Sequence, residues 1–207
     1  MKILLVDDHP IVRAGLRRLL GIERDMEIRE ATTSREALTS FREDRPDLVM
    51  LDLNLPDVGG LELLKRLMTE DHTARILIFS MHAEPIYVVR ALQAGAIGYI
   101  SKGAPPDELI EAIRRVASGV RYIERELAQE LAFRNALSAN PSPVEQLSSR
   151  DLEILRLLAG GRSMTEIADA IGIGYKTVAN TCSQMKTKLG VTRTADLVRI
   201  AIEIGTS

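Results

Sequence analysis

Three short runs in the first half of the chain are apolar at every position: Ile3–Val6, Leu48–Leu51 and Ile76–Phe79. Successive side chains of a strand point to opposite faces of its sheet, so a strand with no polar position is covered on both faces. Such strands are typical of parallel sheets, in which helices connect one strand to the next and cover both sides. The pattern therefore predicts an α/β domain.

Each predicted strand of the first 120 residues is followed by a stretch with helical periodicity. The strands are predicted at Lys2–Val6, Glu27–Ala31, Leu48–Asp52, Arg75–Ser80 and Gly98–Ser101, and the helices at Ile11–Leu20, Ser34–Arg45, Gly60–Glu70, Ile86–Ala94 and Asp107–Ser118. Five such units predict a doubly wound sheet of five parallel strands. Because ligands bind such sheets at the carboxyl ends of the strands, we expect the chemistry there.

The pattern changes after Gly119, where a helix is predicted over Glu124–Leu137 and a break at the Ser-, Asn- and Pro-rich segment Ser138–Pro143. Beyond it, four short helices are predicted at Asp151–Leu158, Met164–Ile171, Lys176–Leu189 and Thr194–Ile204. Ser148 with Asp151 and Ser163 with Glu166 have capping-box spacing. We therefore predict a first domain over residues 1–120, a linker with a helix over 121–146 and an all-α domain over 147–207.

Composition excludes several classes of protein. One cysteine cannot form an intramolecular disulfide or a four-thiolate zinc site. No apolar run approaches the roughly 18 residues of a membrane span, and the two acids of Val6-Asp7-Asp8 interrupt any signal-peptide pattern. We therefore expect no membrane association and a cytoplasmic location. The net charge of −2 does not by itself indicate a nucleic-acid partner.

Polar residues follow the predicted strands at the edge where the chemistry is expected. They are Asp7, Asp8, Asp52, Ser80 and Lys102. Three carboxylates in one crevice repel one another unless a cation lies between them, and Mg²⁺ prefers such oxygen ligands and shares its shell with phosphoryl groups. A lysine ammonium and a serine hydroxyl can both bind phosphoryl oxygens. The set therefore predicts a site for a phosphoryl group carried on Asp52, which acts as the nucleophile.

These residues resemble the receiver domain of two-component response regulators, whose fold is flavodoxin-like. The resemblance is carried by Val6-Asp7-Asp8-His9-Pro10, Leu51-Asp52-Leu53-Asn54-Leu55-Pro56, Ser80 and Gly98-Tyr99-Ile100-Ser101-Lys102.

The resemblance implies that a histidine kinase phosphorylates Asp52. It implies that Asp8, Asp52 and the backbone carbonyl of Asn54 hold Mg²⁺ or Mn²⁺, with Asp7 contributing directly or through water. It also implies that Ser80 and Tyr99 form a switch pair, in which phosphorylation draws the Ser80 hydroxyl to the phosphoryl group and turns the Tyr99 ring inward. His9, His72 and His82 have no metal-ligand spacing, and we expect them at the surface or at helix caps, with His9 at the rim of the acid pocket.

The last predicted domain has the pattern of a helix-turn-helix. Ala168, Gly172 and Val178 supply a small residue at the helix crossing, a turn glycine with positive φ and an apolar anchor in the second helix. Between residues 170 and 195, Lys and Arg occur without Asp or Glu, which concentrates positive charge on that helix. The candidate DNA contacts on it are Lys176, Thr177, Asn180, Thr181, Ser183, Gln184, Lys186 and Lys188.

The segment from Leu147 to Val191 resembles the LuxR-type output domain, and a receiver joined to it resembles the NarL/FixJ class of response regulators. Residues 98–133 are most similar to the GacA/UvrY subgroup. The class implies a transcription regulator rather than an enzyme, with a histidine kinase, double-stranded DNA and RNA polymerase as partners and a homodimer on activation.

Two alternatives remain open at this point. Gly174, Ala179, Thr181 and Ser183 depart from residues common in related recognition helices, which leaves room for a regulator that acts through protein contacts. An aspartyl-phosphate phosphatase is the second, but such enzymes need an acid two residues after the nucleophile, where this chain has Asn54.

Overall fold

The computed structural model describes residues 1–137 and 147–203, without the side chains of residues 134–137, 149 and 203. The chain forms two compact units, residues 1–133 and 134–207. The predicted break at Ser138–Pro143 and the last residue of the predicted final helix, Ile204, lie outside the described residues. No helix in the described part of the chain is long and apolar enough to cross a lipid bilayer.

The first unit is built on one parallel sheet, which confirms the doubly wound α/β prediction. Its strands are β1 (Lys2–Val6), β2 (Glu27–Ala31), β3 (Leu48–Leu51), β4 (Ile76–Ser80), β5 (Gly98–Ser101) and β6 (Tyr122–Ile123), in the order β2-β1-β3-β4-β5-β6. Its helices are α1 (Pro10–Leu20), α2 (Ser34–Asp44), α3 (Gly60–Glu70), α4 (Pro85–Gln93) and α5 (Pro106–Ala117). The three runs without a polar position form β1, β3 and β4, whose apolar residues are buried as predicted.

In the first unit, three helices begin one residue earlier than predicted, at Pro10, Pro85 and Pro106. Proline fits the first turn of a helix because the N–H that it lacks has no intrahelical partner there. The helical periodicity begins only at the next residue, so it places each start one position too late.

The sheet has six strands rather than the predicted five. β6 pairs with β5, with Tyr122 opposite Gly98 and Ile123 opposite Tyr99. Two residues are too few to show a strand period, so periodicity could not predict this element. The Tyr122 hydroxyl donates to Glu108 of α5 at 2.7 Å, which ties β6 to the first unit. The sheet thus extends into the segment predicted as a linker, where α6 (Arg125–Leu137) follows β6.

The second unit is helical over its described residues, with α7 (Ser149–Ala159), α8 (Met164–Ala170), α9 (Tyr175–Leu189) and α10 (Thr194–Glu203). Both predicted capping boxes are present, at Ser148 for α7 and at Ser163 for α8. The turn between α8 and α9 contains Gly172 at φ +66°, the left-handed conformation predicted for it. The helix-turn-helix is therefore α8, this turn and α9.

Candidate functional site

Asp7 and Asp52 lie at the carboxyl ends of neighbouring strands. β1 and β3 run parallel with Val6 opposite Leu51, and the Asp52 N–H donates to the Val6 carbonyl at 2.9 Å. The residues that follow each strand therefore leave the sheet side by side. Both carboxylates are buried, whereas the Asp8 side chain is one-third exposed. The three acids thus form a cluster that is closed on the sheet side and open at Asp8.

Lys102, which follows β5, bridges the two buried carboxylates. Its Nζ atom lies 2.7 Å from Asp7 Oδ2 and 2.6 Å from Asp52 Oδ2, and its side chain is only 5% exposed. The Lys102 N–H donates to the Ser80 carbonyl at 2.8 Å, which fixes the backbone from which the side chain reaches the acids. A buried carboxylate is costly unless it is paired with a cation. Lys102 therefore supplies the charge that allows both acids to lie beneath the surface.

The loop after Asp52 is shaped by two consecutive glycines. Gly59 has φ +77°, and the Gly60 N–H donates to the Leu53 carbonyl at 2.9 Å. A Cβ atom on Gly60 would lie 2.1 Å from the Asp52 carbonyl oxygen, which is far inside van der Waals contact. The start of α3 therefore packs against the backbone that carries the Asp52 carboxylate, and only glycine permits this approach.

Asn54 and His82 connect Asp52 to β4 and β5. The Asn54 N–H donates to Asp52 Oδ1 at 3.2 Å, and the Asn54 side-chain oxygen lies 2.8 Å from His82 Nε2. The His82 N–H donates to Ser80 Oγ at 3.3 Å, and the His82 carbonyl accepts from the Tyr99 hydroxyl at 2.6 Å. The two residues predicted as a switch pair are thus joined through His82.

His82 differs from what the sequence led us to expect. His82 is buried and stacks on Tyr87 of α4, with the ring centroids 4.3 Å apart, so it is not a surface residue. Tyr99 is fully buried, which is the inward position that the resemblance assigns to the phosphorylated state. Burial raises the pKa of Tyr99 well above its usual range, so its hydroxyl stays a hydrogen-bond donor.

His9 is the exposed N-cap residue of α1, as expected of a surface or capping residue, and its ring also lies at the rim of the acid cluster. Its Nδ1 atom lies 2.9 Å from Asp8 Oδ1, 3.1 Å from Asp7 Oδ1 and 3.8 Å from Asp52 Oδ2. Together, the ligand atoms of Asp7, Asp8, His9 and Asp52 lie within 4.8 Å of one another. The only sequence signal for this placement is that His9 directly follows two acids at a strand end.

The cluster has the composition of a site for a divalent cation and a phosphoryl group. Its carboxylate oxygens are ligands that Mg²⁺ prefers. The Asp52 oxygen contacts the Lys102 ammonium, which can stabilise negative charge that develops on an incoming phosphoryl group. The arrangement can therefore hold a divalent cation next to a carboxylate, that of Asp52, which could act as a nucleophile.

In the second unit, α9 buries one side and exposes another. Val178, Cys182 and Met185 are buried, and burial raises the pKa of the Cys182 thiol. The predicted DNA contacts that are exposed are Lys176, Thr177, Asn180, Ser183, Gln184 and Lys188, whereas Thr181 and Lys186 are partly buried. The exposed side of α9 is therefore polar and basic.

Two of the predicted DNA contacts have bonds within the second unit. Lys188 Nζ donates to the buried Asp151 carboxylate at 2.8 Å, which ties the end of α9 to the start of α7. The Thr181 hydroxyl donates to the Thr177 carbonyl at 2.9 Å. A phosphate would therefore have to compete with Asp151 for the Lys188 ammonium.

Comparisons with known proteins agree with the two units. Residues 3–114 match the response regulator receiver domain, and residues 145–201 match the LuxR family of bacterial regulatory proteins. The transcriptional activator protein ExaE of Pseudomonas putida is 41% identical over 99% of this chain and 97% of its own. The response regulator UvrY of Escherichia coli K12 is 35% identical over 99% of this chain and 95% of its own.

A solved structure gives the same result for part of the chain. It is a two-component response regulator of the LuxR family from Aurantimonas sp. SI85-9A1, 43% identical, with a TM-score of 0.61 over 65% of this chain and 97% of its own. The family matches and the full-length relatives together place both units in one class. The chain belongs to the NarL/FixJ-class response regulators, which join a receiver domain to a LuxR-type DNA-binding domain.

Proposed function

We propose that reversible phosphorylation of Asp52 by a histidine kinase controls sequence-specific DNA binding by α9 and thereby transcription. The observation that carries this proposal is the Asp52 carboxylate, buried at the end of β3 and in contact with the Lys102 ammonium at 2.6 Å. An acyl phosphate forms when this carboxylate displaces the leaving group of a phosphohistidine or a small phosphodonor. Lys102 then neutralises part of the phosphoryl charge.

A divalent cation, Mg²⁺ or Mn²⁺, is part of this proposal. Asp8 and Asp52 would hold it with the backbone carbonyl of Asn54, and Asp7 would contribute directly or through water. When bound, the cation neutralises phosphoryl oxygens and orients the group for transfer. The open side of the cluster, at Asp8, gives the ion and the phosphodonor a path to Asp52.

The switch is proposed to act through the hydrogen bonds around His82. The bond from the His82 N–H to Ser80 Oγ is long, at 3.3 Å, so the hydroxyl can leave it to bind a phosphoryl oxygen. The Tyr99 hydroxyl donates to the His82 carbonyl, in the inward position that the resemblance assigns to the activated state. Phosphorylation is expected to stabilise this arrangement of Ser80, His82 and Tyr99.

The output is proposed to be a homodimer that places two copies of α9 in successive major grooves, with half-sites about one DNA turn apart. Lys176 and the hydroxyl side chains would contact phosphates, and Asn180 and Gln184 would contact base edges. We expect the protein to act in the cytoplasm and, at promoters, with RNA polymerase. It is a regulator and not a phosphatase, because Asn54 stands where such an enzyme needs an acid.

Selection of DNA from a random pool tests this function, with and without a small phosphodonor and Mg²⁺. Wild-type protein should enrich a two-fold symmetric site, and the phosphodonor should strengthen binding. Asp52→Ala should remove the response, whereas Asp107→Ala, which changes an exposed acid of α5, should keep it. An equal response of wild type and Asp52→Ala would contradict the proposal.

The contacts of α9 can be tested on the site so obtained. Lys176→Ala should weaken binding to all sequences and reduce the salt dependence by about one phosphate contact, whereas Asn180→Ala should relax selectivity at one base pair. Thr165→Ala, an exposed position of α8, serves as the control.

A regulator that acts through protein contacts remains the second candidate. The N-cap of α9 is Gly174, which has no side chain to cap the helix, and Lys188 is already bonded to Asp151. Both features weaken a DNA-binding helix. This candidate predicts no salt-sensitive DNA binding by the phosphorylated protein.

A further inference from the structure

His9 is positioned so that its ring faces the acid cluster. It is the N-cap of α1, where its side chain makes no capping hydrogen bond, and its backbone N–H donates to Asp7 Oδ1 at 2.8 Å. This bond closes a tight turn that brings the imidazole back over the carboxylates. The side chain is 54% exposed, so the ring lies at the rim of the cluster, beside Asp8, without being buried in it.

Two of the three distances from His9 Nδ1 to the acids fit adjacent ligands of one shared ion. Adjacent ligands of an octahedral ion with bonds of about 2.1 Å lie about 3.0 Å apart. The separations from Nδ1 to Asp8 Oδ1 and Asp7 Oδ1 are 2.9 Å and 3.1 Å, and the separation to Asp52 Oδ2 is 3.8 Å. The nitrogen thus occupies the position of a fourth donor beside three carboxylates.

An imidazole nitrogen binds transition-metal ions better than it binds Mg²⁺. Mg²⁺ binds oxygen ligands and gains little from an imidazole, whereas Mn²⁺, Co²⁺, Ni²⁺ and Zn²⁺ bind imidazole nitrogen well. We propose that His9 is a nitrogen ligand that makes this pocket prefer first-row transition-metal ions to Mg²⁺. The inference rests on the proposed function only in that both use the same pocket, since metal affinity can be measured without phosphorylation.

Titration calorimetry with Mg²⁺, Mn²⁺ and Co²⁺ on the full chain, in the absence of any phosphodonor, tests the proposal. His9→Gln should weaken Co²⁺ binding at least tenfold and Mn²⁺ binding several-fold, and should change Mg²⁺ binding less than twofold. Asp8→Asn should weaken all three ions, because it removes an oxygen ligand. His72→Gln, at an exposed histidine between α3 and β4, should change none of them.

A spectroscopic measurement tests the nitrogen ligand directly. Electron spin-echo modulation of the Mn²⁺-loaded wild-type protein should show coupling to a ¹⁴N nucleus, and this coupling should be absent from Mn²⁺-loaded His9→Gln. Equal weakening of the three ions in His9→Gln, no weakening of any, or no ¹⁴N coupling in wild type would overturn the proposal. Failure of the proposed function is a separate result, namely the absence of phosphate on Asp52 of wild-type protein in Mg²⁺.

Discussion

Replacement of Lys102 by methionine should destabilise the first unit strongly. The substitution keeps most of the apolar stem and removes the ammonium that contacts the buried carboxylates of Asp7 and Asp52. Loss of one partner of a buried ion pair costs about 3–5 kcal/mol. Because the cluster is open at Asp8, water can reach part of it, so we expect the lower end, about 3 kcal/mol of unfolding free energy. The cation–π contact with Phe79, at 5.9 Å, adds about 0.5 kcal/mol.

Urea unfolding of the full chain measures this loss. Three of the four tyrosines, Tyr87, Tyr99 and Tyr122, lie in the first unit, so its transition can be followed by near-ultraviolet circular dichroism. The proposed cation site lies in the folded cluster, so millimolar Mg²⁺ should restore part of the stability of Lys102→Met. Lys65→Met, at an exposed position of α3, should stay within about 0.5 kcal/mol of wild type.

A small loss of unfolding free energy in Lys102→Met would refute this reasoning. If Lys102→Met lost less than about 1 kcal/mol and did not respond to Mg²⁺, the two carboxylates would not depend on the ammonium. The contact distances would then not describe a mutually stabilising cluster.

Three further predictions concern other parts of the chain. Gly60→Ala should lower the unfolding free energy by about 1–3 kcal/mol, because the new Cβ atom would overlap a backbone oxygen. Gly15→Ala, where a Cβ atom would have no other atom within 4 Å, should stabilise α1 by about 0.5–1 kcal/mol. Urea unfolding measures both changes. The backbone N–H of Ser163 holds the pKa of Glu166 below its usual 4.5. The stability that the Glu166 carboxylate contributes is therefore present above pH 4.5 and is lost as the pH falls through the lower folded-state pKa. The difference in unfolding free energy between wild type and Glu166→Gln should shrink in acid for this reason. Cys182, buried and with a raised pKa, should react with a thiol reagent such as dithionitrobenzoate only on unfolding, and rapid labelling of the native protein would contradict its placement.

The sequence predicted those parts of the fold that leave a periodic or positional signal. β1, β3 and β4 were predictable because they are apolar at every position, and the helix-turn-helix because Gly172 marks a turn of positive φ. β6 was missed because two residues carry no period. The starts of three helices were placed one residue late because proline precedes the periodic residues.

From the sequence, the candidate site could be predicted only as a set of polar residues that follow the strands and meet at one edge of the sheet. The parallel sheet brings Asp7, Asp52 and Lys102 together, as the topology requires. The buried position of His82 could not be predicted, because it depends on the path of a loop rather than on spacing along the chain. The bond between Lys188 and Asp151 was missed for the same reason, since it joins residues 37 positions apart.

Borohydride trapping of the acyl phosphate tests the central claim most directly. The full chain is incubated with a small phosphodonor and Mg²⁺, reduced with borohydride and digested for mass spectrometry. Reduction converts an aspartyl phosphate into homoserine, so the account predicts homoserine at position 52 of wild-type protein and none when the phosphodonor is omitted. Homoserine at another aspartate, or at none, would contradict the account.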